Sequence, residues 1–178
     1  TRIEPFFSVV WTVSPSWKIE AGAIAEFSKL TLSGDSTASR SFQFIKPRLI
    51  ATWTVNPSTT LEFRADRQVA QLDFGEFATS IDVALGNQVD AGNADLVPEK
   101  VTTLAAQIRR KFLERGSIQF RGEYQLISYT QDLVPVTLRD AAGNITAQFD
   151  GAGNIGESKR WNGELEITLP LDWLTKSA

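Results

Sequence analysis

An all-β chain of long antiparallel strands is what this 178-residue sequence predicts. Hydrophobicity alternates at period two over seven long runs, and nothing is sustained at the 3.6-residue period of a helix. Clusters of Gly, Pro, Asn, Asp and Ser, which reverse a chain, separate the runs.

The first run, "EPFFSVVWTV", puts Phe7, Val9, Trp11 and Val13 on one face, and a turn at Ser14, Pro15 and Ser16 reverses it. The second, "WKIEAGAIAEFSKL", sets Trp17, Ile19, Ala21, Ala23, Ala25 and Phe27 against Lys18, Glu20, Gly22, Ile24, Glu26 and Ser28. After a polar loop, the third carries Pro47, Leu49, Ala51, Trp53 and Val55 opposite Lys46, Arg48, Ile50, Thr52 and Thr54. A tight turn at 56–59 leads to the fourth, with Leu61, Phe63 and Ala65 opposite Glu62, Arg64 and Asp66.

The longest connection, Gln71 to Val97, is long enough to expect a function of it. The fifth run, 99–112, is less regular, because Arg110 shares the parity of Leu104, Ala106, Ile108 and Phe112. In the sixth, Ile118, Phe120, Gly122, Tyr124 and Leu126 alternate with Gln119, Arg121, Glu123 and Gln125. A small loop hairpin is expected in "PVTLRDAAGNITAQF", about its turn from Asp140 to Asn144. The seventh run, 158–173, sets Trp161, Leu165, Ile167, Leu169, Leu171 and Trp173 against Arg160, Asn162, Glu164, Glu166 and Thr168.

Composition narrows the function. A net charge of -3 offers no basic face to displace counterions from phosphate, so nucleic acid is not an expected partner. The sequence has no Cys and no His, which removes disulfides, thiolate metal sites and the commonest general base. Neither an enzyme nor a bound cofactor or metal is expected. No apolar run approaches the roughly 20 residues of a spanning helix. Without an initiator Met or a signal peptide, the chain reads as a mature piece or an excised segment.

Alternation alone does not separate a soluble sheet from a membrane sheet, but three features favour the membrane. Most runs last 10 or more residues, against about 5–6 for a soluble strand and about 9–11 for one tilted across a bilayer. Short turns at 14–16, 56–59 and 113–116 alternate with long segments at 31–40, 71–98 and 131–157, the arrangement of periplasmic turns and extracellular loops in outer-membrane barrels. Trp11, Trp17 and Trp53 sit near short turns, and Trp173 ends the seventh run where the next is due, as in an interfacial girdle. Five of the seven runs carry no Lys or Arg on the central apolar parity, where one costs about 2–4 kcal/mol against lipid. Arg110, close to a turn, is placed to snorkel.

The segment "GNADLVPEK", residues 92–100, opens the fifth run. It resembles the Gly-Asn-Pro-x-Leu-Lys-Pro-Glu segment that precedes a barrel strand in TonB-dependent outer-membrane receptors, with Ala94 and Val97 replacing that family's first proline and lysine. Asn93 and Asp95 are suited to a local side-chain turn, and Pro98 steers Val97 into an extended conformation. "RADRQVAQLDFGEF" is similar to the Arg-rich strand end that opens the family's long loop, although Gln71 and Leu72 stand where Arg-Pro often occurs. "NIGESKRWNGELEITLPLDWL" is similar to its Asn-x-Gly, Gly-x-Glu strand, with Asn154, Gly156, Gly163 and Glu164 in matching places.

That resemblance implies a barrel of 22 strands around an N-terminal plug, importing a scarce ligand such as an iron-siderophore, cobalamin or an oligosaccharide. TonB would supply the energy, through a plug that this chain does not contain. Residues 1–178 are then expected to be an internal part of the barrel domain, in the outer membrane of a Gram-negative bacterium. The expected partners are the lipid bilayer and a ligand held by extracellular loops. Two open edges also predict strand-mediated self-association of the isolated segment.

On the lumen parity stand Lys18, Glu20, Glu26, Arg48, Arg64, Asp66, Arg121, Glu123, Glu164 and Glu166, whose mixed signs predict cross-strand pairing; ligand contacts cannot be assigned among them from the residues alone. A complete small barrel of about eight strands is one alternative. Another is a soluble β-sandwich that binds carbohydrate on Trp17, Trp53 and Trp161. The carboxylate pairs Glu164/Glu166 and Asp140/Asp150 have the composition of an acid and a base, but the first alternates on a lumen-facing strand and the second flanks a turn. "DAAGNITAQFDGAGN" has calcium-loop composition without EF-hand spacing, and two glycine-rich turns are the simpler expectation.

Overall fold

The computed structural model describes residues 1–32, 38–72, 80–82, 88–90, 96–112, 115–139 and 142–170. The strands are β1 (Arg2–Ile3), β2 (Phe6–Ser14), β3 (Trp17–Leu32), β4 (Ala38–Asn56) and β5 (Thr59–Val69), followed by β6 (Ser80–Asp82), β7 (Gln88–Asp90), β8 (Lys100–Phe112), β9 (Gly116–Arg139) and β10 (Ile145–Thr168). One sheet takes the order β1-β3-β4-β5-β8-β9-β10, with β2 also on β3, and every pair in it is antiparallel. Because β1 and β2 are two parts of one strand broken at Glu4 and Pro5, seven long strands follow one another up and down. Fold class and strand number agree with the sequence reading.

The loops are shorter than expected and the strands longer. β4 begins at Ala38, eight residues before the third hydrophobic run, and its ladder with β3 continues to Leu32 opposite Ala38. The two sides of the hairpin expected in 135–149 do pair, but not as a separate element in a long connection: they are the tip of one arm made by β9 and β10, which run through 131–139 and 145–157 as strands of 24 residues each. At about 3.3 Å per residue such a strand reaches about 80 Å, far beyond the 9–11 residues that cross hydrocarbon. A different hairpin, β6 with β7, lies inside the 71–97 connection.

Glycine also works differently from expectation in this arm. Gly143, at φ 86°, supports the tip turn, but Gly151 and Gly153 pair within the ladder opposite Val134 and Asp132. Gly156, at φ 112°, sits at a register shift between Asn154 and Glu157. One glycine-rich turn is therefore present where two were expected, and the second glycine pair is strand.

Very little apolar surface is inside. Among the described residues the buried aliphatic side chains are Ile50, Leu96 and Ile127. No second sheet packs on the apolar face among the described residues, which removes the β-sandwich. No pair joins β10 to β1 or β2 among them either, so the described strands form an open arc and not a small complete barrel.

Candidate functional site

Register fixes two opposite faces. Across the ladder Trp11, Ile19, Ala51, Phe63, Ala106, Gly122 and Gly163 stand in one row. Val9, Ala21, Leu49, Ala65, Leu104, Tyr124 and Trp161 form the next row on the same face, because side chains recur every second residue. Three large members are open: Trp11 is 61% exposed, Phe63 45% and Trp161 77%. An apolar area this continuous needs a cover other than water.

Its tryptophans mark one edge. Trp17 and Trp53, neighbours across β3 and β4 beside the short turns, stack with ring centroids 5.4 Å apart and planes 8° from parallel. Trp161 packs instead on Tyr124, 4.2 Å between centroids. Two rings that stack on each other, with the third on β10 and four strand residues further along, do not make one sugar platform. Arg110 lies exposed on the apolar parity, two residues before β8 ends at Phe112, whereas Trp173 lies outside the described residues.

Opposite this face the charged residues form two linked clusters. In the first, Arg2 Nη2 donates to Glu4 (2.8 Å) and Glu26 (3.1 Å), while Lys46 Nζ donates to Glu26 at 2.9 Å and to Glu4. Glu26 is 6% exposed, so its charge relies on these two donors. Glu4 lies in the break between β1 and β2, where both Lys46 and Arg2 reach its carboxylate.

In the second cluster Glu123 accepts from Arg121 (2.9 Å), Arg64 (3.3 Å) and Gln125 (2.6 Å). Arg64 Nε also lies 3.0 Å from Asp66 Oδ1, an ion pair without hydrogen-bond alignment. Charge-assisted bonds at a largely covered carboxylate are worth about 1.5–3 kcal/mol. Glu123→Gln should lower the stability of the folded barrel by about 1–3 kcal/mol, read as a lower urea midpoint. An unchanged midpoint would show that the cluster carries no net stability.

Above the clusters, at the long-loop end, residues 96–99 form a strap across the polar face. Val97 N–H donates to Asn154 Oδ1 (2.9 Å), and Asn154 Nδ2 donates to Val97 O (2.9 Å) and Tyr129 O (2.7 Å). Gln131 Nε2 adds a bond to Val97 O at 3.3 Å, and Arg40 donates to Leu96 O at 3.4 Å. Leu96 is wholly buried. Tyr129 has φ 60°, left-handed for a residue with a Cβ, and such a conformation costs on the order of 1–3 kcal/mol. It persists because Asn154 holds its carbonyl.

Beside the strap is a cavity of ≈ 210 Å³ lined by Phe42, Phe44, Glu26, Arg2, Leu72 and Pro98. Phe42 and Phe44 stack at 5.9 Å, and Lys100 Nζ lies 5.4 Å from the Phe44 centroid and 4.8 Å from that of Tyr129. A ≈ 380 Å³ groove between β4 and β5 follows, lined by Lys46, Arg48, Arg64 and Asp66 among others. Aromatic faces and charges of both signs thus converge at one end of the polar wall.

The ten lumen-parity residues named from the sequence share this face. Lys18 pairs with Glu20 (2.7 Å); Arg64, Asp66, Arg121 and Glu123 form the second cluster; Glu26 is in the first. Arg48 stands opposite Asp66, and Glu164 and Glu166 are exposed on β10. Asp140 lies outside the described residues and Asp150 is exposed opposite Pro135. In "DAAGNITAQFDGAGN" the last Asn, Asn154, spends its amide on the strap. The proposed Asn93 and Asp95 turn lies outside the described residues. Alternation gave no sign of Asn154, Gln131 and Arg40 as partners of Val97 and Leu96, since these bonds join segments more than 30 residues apart.

The class this geometry defines is a stretch of β-barrel wall: long, antiparallel, up-and-down strands with one apolar and one ion-paired face. Comparison with solved structures agrees. The copper transporter OprC superposes with a TM-score of 0.71 at 14% identity, over 96% of this chain and 26% of that one. The fold is therefore that of an outer-membrane barrel neighbour, and the chain spans about a quarter of that neighbour's length. No family model matches the sequence, and no curated protein does.

Proposed function

We propose that this chain is an arc of the wall of an outer-membrane transport barrel in a Gram-negative bacterium, of the TonB-dependent receptor type. The observation that carries the reading is the division of the sheet over its central rows. There exposed aliphatic and aromatic side chains, from Val9 and Trp11 to Trp161, occupy one face, and paired charges, with the strap and its cavity at their long-loop end, occupy the other. Hydrocarbon covers the first face, and the second lines the passage. The whole of residues 1–178 belongs to the barrel domain, with the plug that meets TonB supplied by another part of the protein. The isolated arc, with both edges open, associates through them.

The substrate is a scarce solute such as an iron-siderophore, cobalamin or an oligosaccharide, met first at the strap and the Phe42/Phe44 cavity. Thiolate, thioether and imidazole are the donors that favour copper, and residues 1–178 supply none of them, so this arc lines the passage without holding such a metal itself. No cluster of three acidic metal-ligating groups occurs among the described residues.

An epitope-tag experiment on the intact protein tests the placement. A tag between Ala142 and Gly143, at the β9–β10 tip, should bind antibody on whole cells, and one at Pro57–Ser58 should bind after permeabilisation. Recovery of the protein in the aqueous fraction, or labelling of both tags from outside, would contradict the reading. Uptake of the three solute classes with and without TonB then identifies the cargo and the energy source.

A further inference from the structure

The apolar face is not evenly filled. Ala106, Gly122 and Gly163 follow one another across β8, β9 and β10, and Ala65 lies on β5 in the next row. Phe63, Leu104, Phe120, Tyr124 and Trp161 rise around these small residues, leaving a recess of ≈ 670 Å³. That volume lies within the roughly 300–1,000 Å³ of small-molecule sites. Nothing stands within 4 Å of a Cβ built on Gly163, and on Gly122 the nearest atom is a Phe120 ring carbon at 3.8 Å.

The next row on the same face, toward the long loops, reads Arg67, Thr102, Leu126, Lys159. Both cations are exposed and neither has an ion pair among the described residues. Glu157, exposed and paired in register with Ser128, is next on that face of β10, on the side of Lys159 away from the recess. Arg67 and Lys159 are three ladder steps apart, about 14 Å at about 4.8 Å a step, in the row next to Ala65, Leu104, Tyr124 and Trp161 of the recess. A cation on a lipid-facing parity is unfavourable unless it sits at the interface or meets an anion.

We propose that the recess holds an acyl chain of a phosphate-bearing membrane lipid, whose phosphate is bound between Arg67 and Lys159. The site rests on the reading that hydrocarbon covers this face, and refines it from a general solvent to one retained molecule. Small residues give the chain room, aromatic walls fix it laterally, and the basic rim selects a lipid that carries phosphate.

Native mass spectrometry of the intact barrel, with phosphatidylglycerol or phosphate-free diacylglycerol added, tests this. The unsubstituted protein should retain one phosphatidylglycerol. Gly122→Leu combined with Gly163→Leu, filling the recess, should reduce retention at least tenfold. Arg67→Gln and Lys159→Gln should each weaken phosphatidylglycerol on the order of fivefold and leave diacylglycerol unchanged. Equal retention by the filled variant, or equal losses of both lipids in the charge variants, would overturn the site. The charge variants decide the matter if the filled variant fails to fold. An unsubstituted protein that needs detergent yet retains no lipid would refute the recess alone, whereas one soluble without detergent would refute the membrane reading beneath it.

Discussion

Ala106→Arg should destabilise the folded, inserted barrel by about 2–4 kcal/mol, whereas Gln107→Arg, one residue further on, should change it by less than about 1 kcal/mol. Ala106 is the middle of the apolar stretch Leu104–Ile108 and lies between Phe63 and Gly122. A guanidinium there has hydrocarbon around it and no counter-charge within its row. Gln107 points the opposite way, between Glu62 and Arg121, where a new cation gains one carboxylate and meets one like charge. Urea unfolding in lipid vesicles gives both values. Equal costs at the two positions would mean that the faces do not differ in solvent.

Asn154→Ala should release the strap. Three hydrogen bonds disappear, and both polar groups of half-buried Val97 lose their Asn154 partner; a loss of about 1–3 kcal/mol follows. Amide exchange at Val97 should then speed up about 5- to 150-fold, with protection in the β4–β5 and β8–β9 ladders unchanged. Tyr129 loses the donor that holds its left-handed backbone, so its amide region should reorganise as well. Unaltered exchange at Val97 would show that the strap is held by its buried Leu96 instead. Because the strap borders the Phe42/Phe44 cavity, the same variant should weaken capture of the transported solute.

How much of this was legible in the sequence depends on distance along the chain. Parity was readable from Phe7 to Leu169 because each strand states its own two faces, and cross-strand pairing preserved them. The clusters were readable in kind but not in membership: Glu123 and Arg64 are adjacent because two ladder steps, through Ala105, bring β5 near β9. The β9–β10 arm was misjudged because Pro135, Gly151 and Gly153 are breakers in most strands. Beyond Ser128 the edge of β9 that β8 had paired is open, where a proline's missing N–H costs little; Gly151 stands opposite Val134, whose side chain fills the space a Cβ on Gly153 would need. The strap was invisible for a different reason. Its bonds are single contacts between remote segments, and no periodicity encodes them.

The central claim is that lipid bathes one side of this sheet and water or protein the other. Residues 1–178 contain no cysteine, so single-cysteine variants at residues 103–108 of the intact barrel, with any cysteine elsewhere in the protein first replaced, each carry one nitroxide label. Collision rates with oxygen and with a water-soluble nickel chelate should alternate in the bilayer. Labels at 104, 106 and 108 should favour oxygen, and those at 103, 105 and 107 should favour the chelate or be shielded from both. Equal chelate access at all six positions, or no period of two, would contradict the account.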